Sequence, residues 1–217
     1  MTNAETFAKK TMDLFVYVFA ALFSVINPLG TVPVFVGLTQ EDTKAEQSKT
    51  SVKTALNIFV ILLLSFFAGN YILAFFGISI DSLRIAGGLI IVSSGFALLT
   101  GNFKKHKGMH KEKVQADIEE RESVSLTPLA IPMLAGPGSI SLLIALNDEH
   151  QLFLDKGIIV GAVAAVCLAT FLILKSGHFI VKKLGASGIN AISRIIGFIV
   201  IAIGIEYITS SVVKLFE

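Results

Sequence analysis

Long apolar runs, separated by short polar stretches, dominate the hydrophobic pattern of this chain. Six apolar segments cover approximately residues 12–38, 54–76, 83–100, 126–146, 157–175 and 190–213. A helix rises about 1.5 Å per residue, so about 20 apolar residues cross a bilayer core of about 30 Å. The pattern predicts an all-α, polytopic membrane protein with six transmembrane segments. The first segment is interpreted as a retained span, because its apolar stretch continues past Ile26 into a Pro/Gly motif.

The composition excludes several classes of protein. Of the 217 residues, 53% are hydrophobic and 16% are charged, and the mean hydropathy is +0.77. Soluble domains are usually about 25% charged, so a soluble enzyme is excluded. A net charge of +2 is too small to indicate a nucleic-acid partner. The single cysteine, Cys167, excludes an internal disulfide and a multi-cysteine metal site, and we expect it to be a buried free thiol. No metal and no cofactor are predicted.

The distribution of lysine and arginine predicts the orientation in the membrane. With six spans, both termini and the loops 77–82 and 147–156 share one side, which carries 5 of the 18 basic residues, and the opposite side carries 13. Cytoplasmic loops carry the excess of Lys and Arg. Both termini are therefore predicted to lie outside, and the charged stretch 102–124 is predicted to be a cytoplasmic linker.

The two halves of the chain resemble each other at an offset of 108 to 110 residues. The matches join short stretches of the predicted spans, and they are Gly69–Ile72 with Gly177–Ile180, Gly77–Ser79 with Gly185–Ser187, and Arg84–Gly87 with Arg194–Gly197. They divide the chain into a first three-span repeat (1–101), the linker (102–124) and a second three-span repeat (125–217). Three spans are an odd number, so the second repeat must be inverted relative to the first. Inverted repeats of this kind recur in transporters.

Segments one and four are predicted to be broken near the membrane midplane. Proline removes a backbone donor, and glycine adds freedom to unwind. A helix that restarts after a break offers free N–H groups and the positive end of its dipole, which suit a carboxylate, while the exposed carbonyls suit an ammonium group. The predicted substrate-binding residues lie at these two breaks, and they are Asn27, Pro28, Gly30, Thr31, Pro33, Gly136, Pro137, Gly138 and Ser139. Thr31 and Ser139 are the expected N-caps. The alternative is that the prolines only kink the helices for packing.

Ionisable residues in or near the spans are further candidates, because charge in a membrane is costly. Glu206, in the outer part of the sixth segment, is a candidate coupling carboxylate or an interfacial residue. Arg84 and Arg194 occupy matching positions in the two repeats and are interpreted as anchors that reach the lipid headgroups. Asp81 is the expected partner of Arg84, three residues along the helix.

Two stretches carry a likeness to a known family. Residues 24–35 read SVINPLGTVPVF and residues 128–140 read PLAIPMLAGPGSI, and together they resemble the two hallmark stretches of the MarC family. The resemblance covers essentially the whole chain. It implies a multi-pass protein of the cytoplasmic (inner) membrane of a bacterium or archaeon. Because some members are classed as transporters of small neutral amino acids such as glycine and alanine, it also implies that substrate class.

The sequence therefore predicts a secondary transporter of small neutral amino acids that works by alternating access. A Walker motif and an H-E-x-x-H motif are both absent from the chain, which argues against ATP-driven transport and metalloprotease chemistry; no enzyme activity is predicted. A channel or exporter for another small polar solute, or a structural membrane protein without transport activity, are the alternatives. The sequence leaves open whether a proton or a sodium ion is coupled, and what the oligomeric state is.

Overall fold

A computed structural model describes residues 3–39, 42–100, 130 and 134–214. The described residues form seven α-helices: α1 (Asn3–Ile26), α2 (Pro28–Leu38), α3 (Lys44–Phe76), α4 (Ile80–Thr100), α5 (Pro137–Glu149), α6 (Phe153–Lys175) and α7 (Gly177–Lys214). Within this part of the chain, four helices are long and apolar enough to cross a membrane: Lys44–Phe76, Ile80–Thr100, Phe153–Lys175 and Ser187–Lys214. The bent pair formed by α1 and α2 makes up to five spans. The protein is thus all-helical and polytopic.

The fourth predicted segment, 126–146, is described only in part. Its described portion is α5, which has 13 residues and is too short to cross a bilayer alone. Pro128, Pro132 and the linker 102–124 lie outside the described residues. The six-span inverted repeat therefore stays a prediction, as does the division into domains.

The second predicted segment begins earlier than its hydrophobicity indicates. A capping box starts α3: Thr43 Oγ1 accepts a hydrogen bond from the Glu46 N–H at 3.3 Å, and Glu46 Oε2 accepts one from the Thr43 N–H at 2.9 Å. This polar first part of α3 precedes residue 54, where the apolar run begins. The capping box, and not hydrophobicity, determines the start of this helix.

Two glycines in matching positions adopt the left-handed backbone conformation. Gly77, which follows α3, has φ of 65°, and Gly185, which kinks α7, has φ of 64°. L-residues with a side chain rarely adopt this conformation, so glycine suits both positions. The chain therefore bends at the same repeat position in both halves, just before α4 and before the long apolar part of α7.

Helices α4 and α7 cross in close contact through glycines. A Cβ on Gly88 would lie 2.7 Å from the carbonyl oxygen of Gly204, and a Cβ on Gly95 would lie 2.8 Å from that of Gly197. The reverse distances, from Gly204 to Gly88 and from Gly197 to Gly95, are 2.7 and 2.8 Å. Residue numbers rise along α4 as they fall along α7, so the two helices are antiparallel. Such close backbone approach is typical of packing between transmembrane helices.

The short helix α5 lies in the protein interior. Residues 141–147 are all buried, and Leu142, Leu143 and Leu146 belong to the main hydrophobic core. Helices α3 and α4 both pack against α5. A helix that is buried on all sides needs no amphipathic pattern, because every face meets protein. Cys167 on α6 belongs to the same core and is a buried free thiol, as predicted.

Candidate functional site

The first break separates α1 from α2 at Asn27. The Asn27 N–H donates to the carbonyl of Phe23 at 2.9 Å and so closes the last turn of α1. Asn27 itself has φ of 46° and ψ of 64°, and it is the one non-glycine residue of positive φ in the described part of the chain. Asparagine tolerates this conformation better than most residues. Pro28 follows at the first position of α2, where a missing N–H costs nothing. The two helices bend by 41° at this point.

The side chain of Asn27 caps α2 and is almost fully buried. Its Oδ1 accepts a hydrogen bond from the Gly30 N–H at 3.2 Å, and only 3% of the residue is exposed. This bond orients the amide, and the Nδ2 group has no hydrogen-bond partner among the described residues. A buried donor without a partner costs about 1–3 kcal/mol, so such a group marks a place where a ligand or a water is expected.

The second break precedes α5 at Gly136. Gly136 is extended, with φ of −85° and ψ of 172°, and Pro137 begins the helix. The cap makes no side-chain hydrogen bond, so Gly136 leaves the first N–H groups of α5 without the side-chain oxygen that Asn27 gives to α2. The two breaks thus share a proline at the first helical position and differ in the capping group.

The structure brings the two breaks together. A Cβ added at Gly138 would lie 3.4 Å from Cγ1 of Val25, two residues before Asn27. It would also lie 2.8 Å from Cγ1 of Ile91, a buried residue of α4. The first turn of α5 therefore packs against the last turn of α1, with α4 beside it. Because no side chain larger than hydrogen fits at Gly138, the two helix ends can approach this closely.

Thr31 and Ser139 are not the N-caps, which corrects the sequence-based expectation. Thr31 Oγ1 donates to the carbonyl of Asn27 at 3.4 Å, and Ser139 Oγ donates to the carbonyl of Gly136 at 2.9 Å. Both hydroxyls are buried in the first turn of their helix. Each one therefore binds the carbonyl of the residue at the break, because the caps are Asn27 and Gly136.

The nine predicted binding residues separate by burial. Pro33 and Pro137 have exposed side chains, whereas Gly30 and Gly136 are partly buried. The residues that are buried at the breaks are Asn27, Pro28, Thr31, Gly138 and Ser139. The interior part of the site is thus made of small and uncharged residues. Glu206 is exposed on α7, and its role in coupling stays a prediction.

An ion pair was missed by the sequence reasoning. Arg84, in the second turn of α4, is buried with 2% of its side chain exposed, and its Nη2 lies 2.6 Å from Oε1 of Glu149. The expected partner Asp81 and the expected headgroup position are therefore both wrong for Arg84, whereas Arg194 is exposed. The pair joins residues that are 65 apart in the chain, so no local spacing rule could find it. A charged residue that ends an otherwise apolar helix, such as Glu149, was the available signal.

The comparisons with known proteins agree with the two motifs at the breaks. The sequence model described as MarC family integral membrane protein matches residues 12–216. The chain belongs to the MarC family. Its membership covers the two breaks and all but the ends of the chain.

Similar relatives occur in bacteria and archaea. The chain is 37% identical over 199 residues to the membrane protein YhcE of Escherichia coli (strain K12), covering 91% of each chain. It is 33% identical over 217 residues to the inner membrane protein MarC of Citrobacter koseri, covering 95% of this chain and 98% of the relative. It is 34% identical over 206 residues to a membrane protein of Methanocaldococcus jannaschii, covering 95% of this chain and 90% of the relative. No solved structure gives a significant match.

Proposed function

We propose that this MarC family protein is a secondary transporter of small neutral amino acids, such as glycine and alanine, in the cytoplasmic membrane. It works by alternating access: the two halves of the chain move against each other around a substrate held between the helix breaks. Either a proton or a sodium ion, or the substrate gradient alone, drives the movement. The proposal rests on membership of an integral membrane family and on the chemistry of the two breaks.

The observation that carries the proposal is the buried Nδ2 of Asn27, which has no partner among the described residues. It lies at the N-terminus of α2, whose dipole favours a negative charge. An amide donor and a positive helix end together suit a carboxylate, and they need no arginine to bind it. The substrate carboxylate would supply the acceptor that Nδ2 lacks.

The surroundings of the breaks favour a zwitterion with a small side group. The residues named at both breaks are uncharged, so the site is matched to a ligand of zero net charge. The carbonyls of Asn27 and Gly136 already accept hydrogen bonds from Thr31 and Ser139, and each carbonyl has a second lone pair for an ammonium group. Gly138, Val25 and Ile91 are in such close contact that they leave room for a hydrogen or methyl side group.

Contacts between the halves support movement of two inverted repeats. An offset of 109 residues carries Gly88 to Gly197 and Gly95 to Gly204, so it exchanges the two glycine contacts of α4 and α7. The antiparallel direction of these helices is the one that inversion requires.

A second pair of contacts follows the same rule. A Cβ on Gly69 would overlap Ile144, and a Cβ on Gly177 would lie 3.3 Å from Cγ2 of Val36. An offset of 108 residues exchanges these two contacts as well. Each contact joins the end of a second helix to the broken helix of the other half. Pseudo-twofold symmetry of contacts, rather than of sequence alone, favours the transporter plan with inverted repeats.

The first experiment is counterflow of labelled alanine and glycine in liposomes that carry the purified protein. Asn27→Gly is the informative variant, because glycine keeps the left-handed backbone and removes only the amide. Loss of a charge-assisted hydrogen bond of about 1.5–3 kcal/mol predicts a fall in exchange of about 10- to 100-fold. Asn190→Ala, an exposed asparagine of α7, is the matched control and should exchange at the parental rate.

The other outcomes separate the alternatives. Saturable exchange that survives Asn27→Gly would move the site away from the first break. Flux that does not saturate would favour a channel. A well-folded protein that exchanges none of a panel of small amino acids would overturn the proposed substrate class and favour another solute or a structural role. Imposed pH and sodium gradients then identify the coupling ion, with Glu206→Gln as the test of that carboxylate.

A further inference from the structure

Arg84 and Glu149 form the only ion pair between different helices that involves an arginine among the described residues. Nη2 of Arg84 lies 2.6 Å from Oε1 of Glu149 and 3.5 Å from the carbonyl oxygen of Ala145. Both acceptors belong to the last turns of α5, where the helix dipole is negative and a cation is favoured. The guanidinium therefore fastens the start of α4 to the end of α5.

The two partners differ sharply in burial. Arg84 is 2% exposed, whereas 42% of the Glu149 side chain is exposed. A buried arginine that loses its carboxylate leaves an uncompensated charge in a low dielectric, which is strongly unfavourable. The contact therefore holds α4 and α5 together for as long as the carboxylate stays charged and in place. The carboxylate is the partner that reaches the protein surface, so it is the one that can leave.

A second contact lies beside this pair. Tyr17 on α1 and Tyr207 on α7 share a side-chain hydrogen bond, and the charges of Arg84 and Glu149 act on both hydroxyls. Tyr207 is buried, and Tyr17 is exposed. Four helices, α1, α4, α5 and α7, thus meet in one polar cluster at this end of the molecule.

Both contacts join opposite halves of the chain. Arg84 and Tyr17 belong to residues 1–101, and Glu149 and Tyr207 belong to residues 125–217. The predicted orientation puts this end of the molecule outside. Arg194, the counterpart of Arg84 in the repeat, is exposed near the opposite end. The two ends of the molecule are therefore closed by different chemistry in this structure.

We propose that the Arg84–Glu149 ion pair, supported by the Tyr17–Tyr207 hydrogen bond, is the outer gate of the transport path. It holds the outer ends of α4 and α5 together, and release of Glu149 separates the two halves and exposes the breaks. This inference rests on the proposed function, because a gate is needed only if the halves move. In the structure the gate is closed.

Ser141 provides a reporter position beneath the gate. Its Oγ donates to the carbonyl of Leu83 at 3.2 Å, which places it between α5 and α4 next to Arg84. It is 2% exposed and lies eight residues before Glu149, or about 12 Å along the helix. A thiol at this position should be inaccessible while the gate is closed. Cys167 is the single native cysteine, so Cys167→Ala removes the background.

The experiment measures how fast a hydrophilic thiol reagent labels the Ser141→Cys, Cys167→Ala protein in nanodiscs. Both faces of the membrane are accessible there, so the result does not depend on the predicted orientation. Glu149→Gln removes the charge from an accessible side chain and should speed labelling at least about tenfold, a shift of about 1.4 kcal/mol toward the open form. Asp148→Asn, which alters the neighbouring exposed acid, is the matched control and should label at the parental rate.

The charge swap Arg84→Glu with Glu149→Arg tests the pair itself. It should return labelling close to the parental rate, because the ion pair is restored with its direction reversed. Size-exclusion profiles and melting temperatures establish that each variant is folded. Parental labelling in folded Glu149→Gln would overturn the gate. So would equal acceleration by Asp148→Asn, or a folded charge-swap protein that labels as fast as Glu149→Gln.

Counterflow of the same proteins separates this inference from the proposed function. Faster labelling in Glu149→Gln without amino acid exchange by the parent protein would support the gate and refute the substrate class. Amino acid exchange by the parent, with labelling unchanged in Glu149→Gln, would support the transporter and refute this gate.

Discussion

Asn27 is constrained by both its backbone and its side chain. The backbone must adopt the left-handed conformation that breaks the helix, and the side chain must cap α2 through Oδ1. Glycine satisfies the first requirement, and aspartate or serine would satisfy the second. Asparagine satisfies both and also leaves an amide donor buried at the break. This combination explains why the residue is suited to a binding site as well as to a kink.

The fit between Gly30 and Asn27 leads to a prediction at this scale. A Cβ on Gly30 would lie 3.0 Å from Cγ of Asn27 and would overlap its amide nitrogen. Gly30→Ala should therefore displace the amide, lower the exchange rate by at least about tenfold and destabilise the protein by about 1–3 kcal/mol. Counterflow and thermal unfolding measure the two effects.

Gly37 in the same helix is the matched control. A Cβ there meets nothing within 4 Å. Gly37→Ala should leave exchange unchanged and raise stability slightly, because alanine costs less chain entropy in a helix. Equal loss of exchange in both variants would show that α2 merely resists substitution, and would contradict a specific role for the Asn27 amide.

The sequence predicted which residues lie at the breaks but not what each one does. Proline and glycine act through the local backbone, so their effect on Asn27 and Gly136 was predictable. The hydroxyls of Thr31 and Ser139 were expected to cap the helices, but they bind the carbonyls of the capping residues instead. The position of a helix start shifts by a few residues with the cap geometry, and composition does not determine that geometry.

Among the helices, α4 and α7 form the closest contact in the described structure. Their four glycines allow backbone to meet backbone, with carbonyl oxygens 2.7–2.8 Å from the positions that Cβ atoms would occupy. A carbonyl of the main chain cannot rotate away as a side chain can. The distance between these helices is therefore determined by the absence of side chains at Gly88, Gly95, Gly197 and Gly204.

Alanine substitutions test this packing. Gly95→Ala and Gly197→Ala should each lower stability by about 1–3 kcal/mol, because either Cβ forces the helices apart. The double variant should lose less than the two single losses together, since one displacement relieves both overlaps. Thermal unfolding in detergent measures these losses.

Gly161→Ala on α6 is the control at the scale of helices, because its Cβ would meet nothing within 4 Å. It should leave the melting temperature unchanged or raise it. If Gly95→Ala proved as harmless as Gly161→Ala, the close contact between α4 and α7 would be wrong.

At the scale of the whole molecule, orientation decides which end the Arg84–Glu149 pair closes. The basic residues divide 13 to 5 between the two predicted sides, and cytoplasmic loops carry the excess. A reporter fused after Glu217 that works only in the cytoplasm should therefore be inactive, while one that works only outside should be active. The same reporters inserted in the 102–124 linker should give the opposite results. A cytoplasmic C-terminus would put the gate on the inner side of the membrane.

The sequence by itself determined the class of protein, because hydrophobicity, proline and glycine act through local and additive physics. It located the membrane segments, the two breaks and the matching glycines Gly77 and Gly185. Only the tertiary structure decided which residues meet. It brought Gly138 to Val25, left Pro33 on the surface, and paired Arg84 with Glu149 instead of Asp81. Those outcomes depend on how distant helices pack around α5, and the free energy of a contact between residues 65 apart has no signature in either local sequence.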